Sequence, residues 1–517
     1  MLPVFTAAEM RTLDRRAVAE LGIPGATLME NAGRGAAAVL AELLPGLGAP
    51  RRGARVAVVC GKGGNGGDGF VVARWLRRRG AHPIVLLAAR PEEVRGDAGA
   101  KLAALRRAGV RPIVIEDAAR AASLLSDAAV VVDALLGTGS RGAPTGLTAA
   151  LIERINAAGR PAVALDVPSG LPADGGAPPG AAVRAAATLT FAALKYGLVT
   201  PPGLDFAGRV RVVPIGIPAA EVGRGIRAWL VERADVAAQF PPRPRDTHKG
   251  AYGHLLIVGG SLGKTGAAAL AARAAMRAGA GLVTVATALS QQPIVAGLVL
   301  ESMTEALAET PSGSAALGAR ERVRELAAAR DAVALGPGLG LDDDTQQLAR
   351  DLVQGLDRPL VLDADALTAI AGRLELLHHA PAPRCLTPHP GEMARLLGAS
   401  IADVQRDRVA SARGVATGHG VHVALKGATT VIAIADGRVF LNPTGNPGLA
   451  SGGTGDALTG MVGALLARRM APADALVAAV YLHGLAGDLA AARLGEESLV
   501  ASDLIEAVPD AFAALRG

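Results

Sequence analysis

The feature that most restricts this chain is a series of short, uninterrupted apolar runs, several of which stop at a glycine loop or an aspartate. RVAVVC (Arg55–Cys60) runs into a glycine loop, and AVVVDAL (129–135) and AVALDV (162–167) each end at an Asp. Strands apolar on both faces belong in a parallel sheet covered on both sides, with helices in the crossovers. The intervening segments supply them: helical patterns are expected over 6–44, 69–79 and 97–108, with a further strand at His82–Leu87. The pattern lapses around the Pro- and charge-rich PPRPRDTHKG (241–250) and then restarts. Strands are expected at His254–Val258, 281–286, Ala332–Leu335, 359–362, Arg384–Leu386, 421–425 and 430–435. The Ala-rich segment Thr265–Arg277 reads as a helix, and three more close the chain at 455–468, 473–493 and 502–515. The fold class is therefore α/β with two doubly wound domains, placed at 1–222 and 223–517. No short-period repeat argues for a solenoid.

Composition narrows the function. Aromatics are only 2%, so the cores must be built from Ala, Val, Leu and Ile. The longest apolar stretches, such as 457–466, fall short of the roughly 18 uninterrupted residues of a membrane span. The first residues lack a basic-then-apolar signal pattern. Cys60 and Cys385 lie far apart and read as buried free thiols, so the cytoplasm is expected. The net charge is +6, but the arginines are scattered and no basic block interleaves with aromatics, which argues against nucleic acid. Only six of the 53 basic residues are lysines: Lys62, Lys101, Lys195, Lys249, Lys264 and Lys426. A chain that uses Arg for ordinary surface charge keeps Lys where a compact ammonium is needed. Five of the six fall in or beside glycine-rich segments.

In the first half, GKGGNGGDG (61–69) passes from a strand end into a helix. Such a loop can bring backbone N–H groups onto a phosphate or sugar. It is neither the G-x-G-x-x-G fingerprint nor a Walker loop, since Asn65 and Asp68 interrupt it and no Gly-Lys-Ser/Thr follows. Asp133 precedes a second glycine segment (137–142), and Asp166 precedes Val-Pro-Ser-Gly. Three strand ends would bring Asn65, Asp68, Asp133, Asp166 and Ser169 to one crevice. That hard-oxygen set suits an alkali or alkaline-earth ion, or acid–base work. Lys195 stands in an apolar, Gly/Pro-flanked segment and is open between a surface charge and a contact to phosphate or intermediate.

GKGGNGGDGF, VVDALLGTGSRG and ALDVPSG, in this order, resemble the NAD(P)H-hydrate epimerase family, a Rossmann-like three-layer sandwich. The family commonly has a second Asn where this chain has Gly64, so no side-chain contact is expected from that position. The resemblance implies a potassium ion on Asn65, Asp133 and Ser169. It implies a hydrated nicotinamide nucleotide along Gly64, Asn65, Gly66, Gly67 and Asp68, along Gly137, Thr138, Gly139, Ser140, Arg141, Gly142 and Ala143, and at Asp166, the candidate acid–base group.

In the second half, GGTGD (452–456) opens a helix. The N–H groups of Gly453, Thr454 and Gly455 can form an anion hole for a transferring phosphoryl group, and Asp456 can take a proton from a substrate hydroxyl. HKGxxGH, GGSxxxxGA, GPGLG, TPHPGE, KGATT and SGGTGD together resemble the ribokinase-like ADP-dependent NAD(P)H-hydrate dehydratase family. The resemblance implies Mg²⁺ and ADP, with the nucleotide on Lys426, Gly427, Ala428, Thr429, Thr430 and Gly455. The hydrated substrate would meet Ala267, Gly338, His389 and Asp456, with Asp456 catalytic. Asp363 and Asp365 are open between metal ligands and helix caps. The function implied is repair of hydrated NADH and NADPH: epimerisation of the R and S forms, then ADP-driven dehydration of the S form to AMP and phosphate, by a homo-oligomer that touches neither membrane nor nucleic acid. Two alternatives stand beside it: a ribokinase-like kinase of a thiazole or pyrimidine alcohol with a regulatory N-terminal domain, and a nucleotide-sensing scaffold without turnover.

Overall fold

The computed structural model describes residues 1–516. The chain divides into two compact units, Leu2–Ile226 and the chain from Arg227 onward. In the first unit the strands are β1 (Arg55–Cys60), β2 (His82–Leu87), β3 (Ile113–Val114), β4 (Val130–Ala134), β5 (Ala162–Leu165), β6 (Ala187–Phe191) and β7 (Arg209–Val213). They form one parallel sheet in the order β3-β2-β1-β4-β5-β6-β7. The order reverses between β1 and β4, and a crevice opens at the carboxyl ends of strands where such a reversal occurs. A two-residue parallel pairing also joins Leu2–Phe5 to Leu194–Lys195.

The second unit has β8 (Ala228–Leu230), β9 (His254–Val258), β10 (Leu282–Ala288), β11 (Met303–Leu307), β12 (Ala332–Leu335), β13 (Leu360–Leu362), β14 (Arg384–Leu386), β15 (His422–Leu425), β16 (Thr430–Ala433) and β17 (Val439–Asn442). Its sheet runs β11-β10-β9-β12-β13-β14-β15-β16-β17-β8. Pairing is parallel from β11 to β15, antiparallel through β15-β16-β17, and parallel again between β17 and β8. The antiparallel hairpin is where Lys426–Thr430 turns, so that segment is a tight connection and not a crossover.

Several expectations are corrected. The helix expected to begin at residue 69 begins five residues earlier, at Gly64, so the glycine run forms its first turns. Glycine is a poor helix former, but here packing decides. A Cβ at Gly66 would lie 1.8 Å from the carbonyl oxygen of Gly61, and one at Gly67 2.6 Å from the Met29 sulfur. The segment 6–44 is two helices, Ala7–Ala19 and Gly25–Leu43. Strands β3, β6, β7, β8, β11 and β17 were not read from the sequence. In β6 the apolar run is masked by Thr188 and Thr190, which are buried and donate their hydroxyls to Ala207 and Ala193 carbonyls. One helix, Pro472–Leu494, is long and apolar enough to cross a membrane. Two thirds of its most apolar window is buried in the unit, where it is a core helix.

The second core is dense because its residues are small. Helix Thr454–Ala467 lies against Thr265–Arg277 so closely that a Cβ on Gly460 would stand 2.0 Å from the carbonyl oxygen of Ala271. A backbone atom cannot step aside as a side-chain tip can. Gly460→Ala is therefore expected to destabilise this unit by about 1–3 kcal/mol through overpacking. Denaturant unfolding should show the midpoint shift, and an unchanged midpoint would refute the close contact.

Candidate active sites

In the first unit, the ends of β1, β4 and β5 meet as the sequence implied. Asp133, at the end of β4, is fully buried and held from three sides. The Ser169 hydroxyl donates to it at 2.6 Å, the Ser169 N–H at 2.7 Å and the Leu135 N–H at 3.2 Å. Burial pushes its carboxyl up to about 6, against the pull of the Ser169 donors. Asn65 donates its amide to the Leu136 and Leu165 carbonyls at 2.6 and 3.1 Å. Its side-chain oxygen is buried with no partner. A buried acceptor left unpaired at this depth is costly and wants a donor or a cation.

Asp166 follows β5 with φ 63°, a left-handed conformation that few non-glycine residues adopt. Its carboxylate accepts from Lys195 Nζ at 2.6 Å and from the Thr138 N–H at 3.2 Å. Burial opposes its charge, but the Lys195 ammonium and the Thr138 donors together outweigh burial and hold the carboxyl below the usual range. Lys195 is fully buried and also donates to Thr190 Oγ1 at 2.9 Å and the Phe191 carbonyl at 2.8 Å. The residue that the sequence left open is thus the charge partner of the candidate catalytic aspartate.

A cleft of about 810 Å³ lies over Asn65 and Asp166; Gly64, Asn65, Asp68, Gly137, Thr138, Gly139, Ser140 and Asp166 all line it, and Asp133, Ser169 and Lys195 lie behind that wall. A side chain at Gly64 would meet nothing within 4 Å. Gly66 and Gly67 instead pack inward, on Gly61 and Met29. Arg141 and Gly142 line an adjoining groove of about 350 Å³ that shares Gly137, Thr138 and Ser140 with the cleft, and Ala143 lines neither. The helix Ala7–Ala19 adds Met10 and Asp14 to the wall. No spacing in the sequence pointed to them, since they lie some fifty residues before the glycine loop.

In the second unit, helix Thr454–Ala467 begins from Gly453, whose φ is 91°. Gly455 faces a buried charge pair: a Cβ there would lie 3.2 Å from Lys426 Nζ and 3.8 Å from Asp363 Oδ2. Lys426 donates to Asp363 Oδ1 at 2.8 Å and lies 3.8 Å from Glu392. The second Asp363 oxygen accepts from Thr459 Oγ1 at 2.8 Å. Asp363 is therefore committed to an ion pair and makes no side-chain cap. Asp365 accepts from the Gly340 N–H at 2.9 Å and Lys264 at 3.1 Å, which ties the GPGLG loop to the start of helix Thr265–Arg277. Among the described residues no group of His, Cys, Asp and Glu is arranged to hold a metal ion.

Asp456 sits in the first turn of its helix. Burial, then the nearby Asp363, pushes its carboxyl up to about 6, with Lys426 pulling the other way. Gly338 and Ala267 are neighbours: a Cβ on Gly338 would lie 3.1 Å from that of Ala267. His389 caps the helix Pro390–Leu397, its Nδ1 accepting from the Gly391 and Glu392 N–H groups at 3.0 and 3.3 Å. In the neutral ring the other nitrogen, Nε2, then carries the proton. The side chain is 53% exposed, and its Nε2 lies 3.5 Å from Glu392 Oε1. Gly427, Ala428 and Thr429 form the β15–β16 turn, and Thr430 opens β16 with its Oγ1 donating to the Gly427 carbonyl at 3.2 Å. Arg408 braces it from beneath, donating to the Leu425 and Lys426 carbonyls at 3.0 and 3.1 Å.

Two α/β units, each with buried charge pairs beside glycine-lined strand ends, define an enzyme with two centres. Residues 25–197 match the family described as YjeF-related protein N-terminus, and residues 255–510 match that described as NAD(P)H-hydrate dehydratase. The chain is 46% identical to the bifunctional NAD(P)H-hydrate repair enzyme Nnr of Moorella thermoacetica over 98% of its own length and 96% of the relative's. It is 36% identical to the Escherichia coli enzyme of the same name, over 97% and 92%. A solved ADP/ATP-dependent NAD(P)H-hydrate dehydratase from Bacillus subtilis, co-crystallised with ATP/Mg²⁺, is 34% identical over 55% of this chain and 98% of that one, with a TM-score of 0.48. The chain belongs to the bifunctional NAD(P)H-hydrate repair enzyme family. The kinase and scaffold alternatives give way to that membership.

The Lys195–Asp166 pair is open to a direct check. Lys195→Met leaves a buried carboxylate without its cation and should cost about 3–5 kcal/mol, whereas removing both charges in Lys195→Met with Asp166→Asn should cost less. Because the folded carboxyl is depressed, its contribution is present above the unfolded value of about 3.9 and lost as pH falls through the lower folded value. Urea unfolding of the three proteins across that range measures both effects; a double variant no more stable than the single one would contradict the pairing.

Proposed function

We propose that the first unit interconverts the R and S epimers of hydrated NADH and NADPH. In our reading the second unit uses ADP to dehydrate the S epimer, releasing AMP and phosphate. The observation that carries the second step is Asp456 beside the amides of Gly453, Thr454 and Gly455, with the Lys426 ammonium against Gly455. The amides and Lys426 hold the phosphoryl oxygens, and Asp456 takes the proton of the C6 hydroxyl as that oxygen attacks. Phosphate is a far better leaving group than hydroxide, and the ring-nitrogen lone pair expels it. A carboxyl raised to about 6 is a stronger base than an ordinary aspartate, yet mostly ionised at neutral pH. His389 Nε2–H, Gly338 and Ala267 would meet the hydrated ring.

Mg²⁺ would come with the nucleotide. It needs few protein ligands when phosphates supply the rest, which suits a site whose Asp363 and Asp365 are already engaged. Its chemistry is neutralisation of charge on the transferring group. For potassium in the first unit, the unpartnered Asn65 oxygen is the supporting observation, with the Ser169 hydroxyl linked to Asn65 through the Leu136 carbonyl they both donate to, and bonded to the Asp133 carboxylate. Bound there, the ion would supply positive charge at the base of the cleft. Two buried free thiols support the cytoplasm as the compartment.

Hydrated NADH incubated with ADP or with ATP, scored by recovered absorbance of the reduced ring, tests the whole reading. ADP-dependent recovery is expected, and its absence would sink the repair assignment. Asp456→Asn should cut dehydration by about 10²–10⁴-fold while leaving epimerisation intact. In the unsubstituted chain, dehydration should fall as pH drops through about 6, because the base must be ionised.

A further inference from the structure

The proposed epimerisation needs two protons handled, and Asp166 alone accounts for one. Asp68 lines the same cleft as Asp166. The two carboxylates have opposite surroundings. Asp166 is met by an ammonium and a backbone N–H, donors that stabilise the ionised form. Asp68 is in the second turn of helix Gly64–Arg78, and burial and charges, not hydrogen bonds, make up its surroundings among the described residues. Half-buried in the cleft and without a protein donor, its carboxyl lacks what stabilises the ionised form of Asp166.

We propose that Asp68 is the second catalytic carboxylate of the first unit: it gives its proton to the departing C6 hydroxyl, and Asp166 takes one from the returning water. The inference rests on the epimerase reading of this unit. Atoms and charges balance. The Asp68 proton passes to the C6 oxygen and the C6–O bond breaks, its electron pair leaving with water. The ring-nitrogen lone pair closes the C6=N1 bond of an iminium. Water then adds to C6 from either face, returning the N1 pair, and yields its extra proton to Asp166. Exposed Asp14 on the cleft wall marks where solvent reaches in to reset the two protons. In the reverse direction the carboxyls exchange roles.

The charges around Asp68 fit the assignment. Burial comes first, then Asp166 at the end of β5 and Asp14 on helix Ala7–Ala19, and together they push its carboxyl well above the usual range. Two cations pull the other way, but both are engaged elsewhere: Lys195 with Asp166, and Lys101, on helix Gly96–Arg107, with Glu30 at 3.0 Å. An acid and a base whose surroundings push them apart are what a reaction that both gives and takes a proton requires.

The test uses the full-length chain, with ADP-dependent dehydration of the pure S epimer as the fold control. Asp68→Asn keeps the shape and loses the transferable proton. Its kcat for R-to-S conversion should fall by about 10²–10⁴-fold with KM changed only a few-fold. Asp68→Glu should restore part of the rate. The unsubstituted chain should lose epimerase kcat at high pH, on a limb that moves in Asp68→Glu and vanishes from the residual rate of Asp68→Asn. A kcat within a few-fold of the unsubstituted chain, or a loss entirely in KM, would overturn the proposal while sparing the epimerase reading. Failure of the unsubstituted chain to epimerise would overturn both.

Discussion

A lysine ammonium removed from water must be met by a carboxylate, and both sites are organised around that requirement. One lysine in each site is used this way. Lys195 pairs with Asp166 after β5, and Lys426 pairs with Asp363 after β13. Breaking such a pair leaves a stranded charge, so the partners fix each other's rotamers and hold the adjoining loops. The two units use the pair differently. In the first, the paired aspartate itself faces the cleft. In the second, the paired Asp363 is tied down by Thr459, and burial, then the Asp363 charge, raises the Asp456 carboxyl beside it.

Close backbone approach is the second requirement. The carboxyl ends of parallel strands become a site only where loops and helix starts press together, and glycine is what permits it. A Cβ on Gly336, after β12, would fall 1.9 Å from the Asp363 carbonyl oxygen. That contact keeps the GPGLG loop beside the strand end carrying the Lys426 pair. The small residues continue inward, where Gly460 lets helix Thr454–Ala467 rest on the backbone of its neighbour and so sets the position of the glycine loop at its N-terminus.

The uninterrupted apolar strands of both sheets were legible, because burial on both faces leaves a plain mark. So were the strand-end aspartates Asp133 and Asp166, and the ordered motifs that carried the family resemblance. Strand β6 was hidden by threonines that satisfy their hydroxyls internally. The early start of helix Gly64–Arg78 was hidden because propensity argues against glycine, and only the packing on Gly61 and Met29 reveals why it holds. Lysine scarcity marked Lys195 and Lys426 as unusual but named no partner. Those partners lie 29 and 63 residues away, and only the sheet order brings them together. Asp363 was undecidable for the same reason: a strand-end Asp before a helix looks like a cap until its lysine is seen.

The central claim is that one chain holds two separate chemistries, one on each unit. Complementation measures this most directly. Asp166→Asn should lack epimerisation but dehydrate the S epimer, and Asp456→Asn should do the reverse. Given pure R epimer and ADP, neither chain alone should restore reduced cofactor faster than uncatalysed epimerisation allows. An equal mixture should restore it fully, the S epimer passing through solution from one protein to the other. A mixture no faster than Asp166→Asn alone would contradict the account.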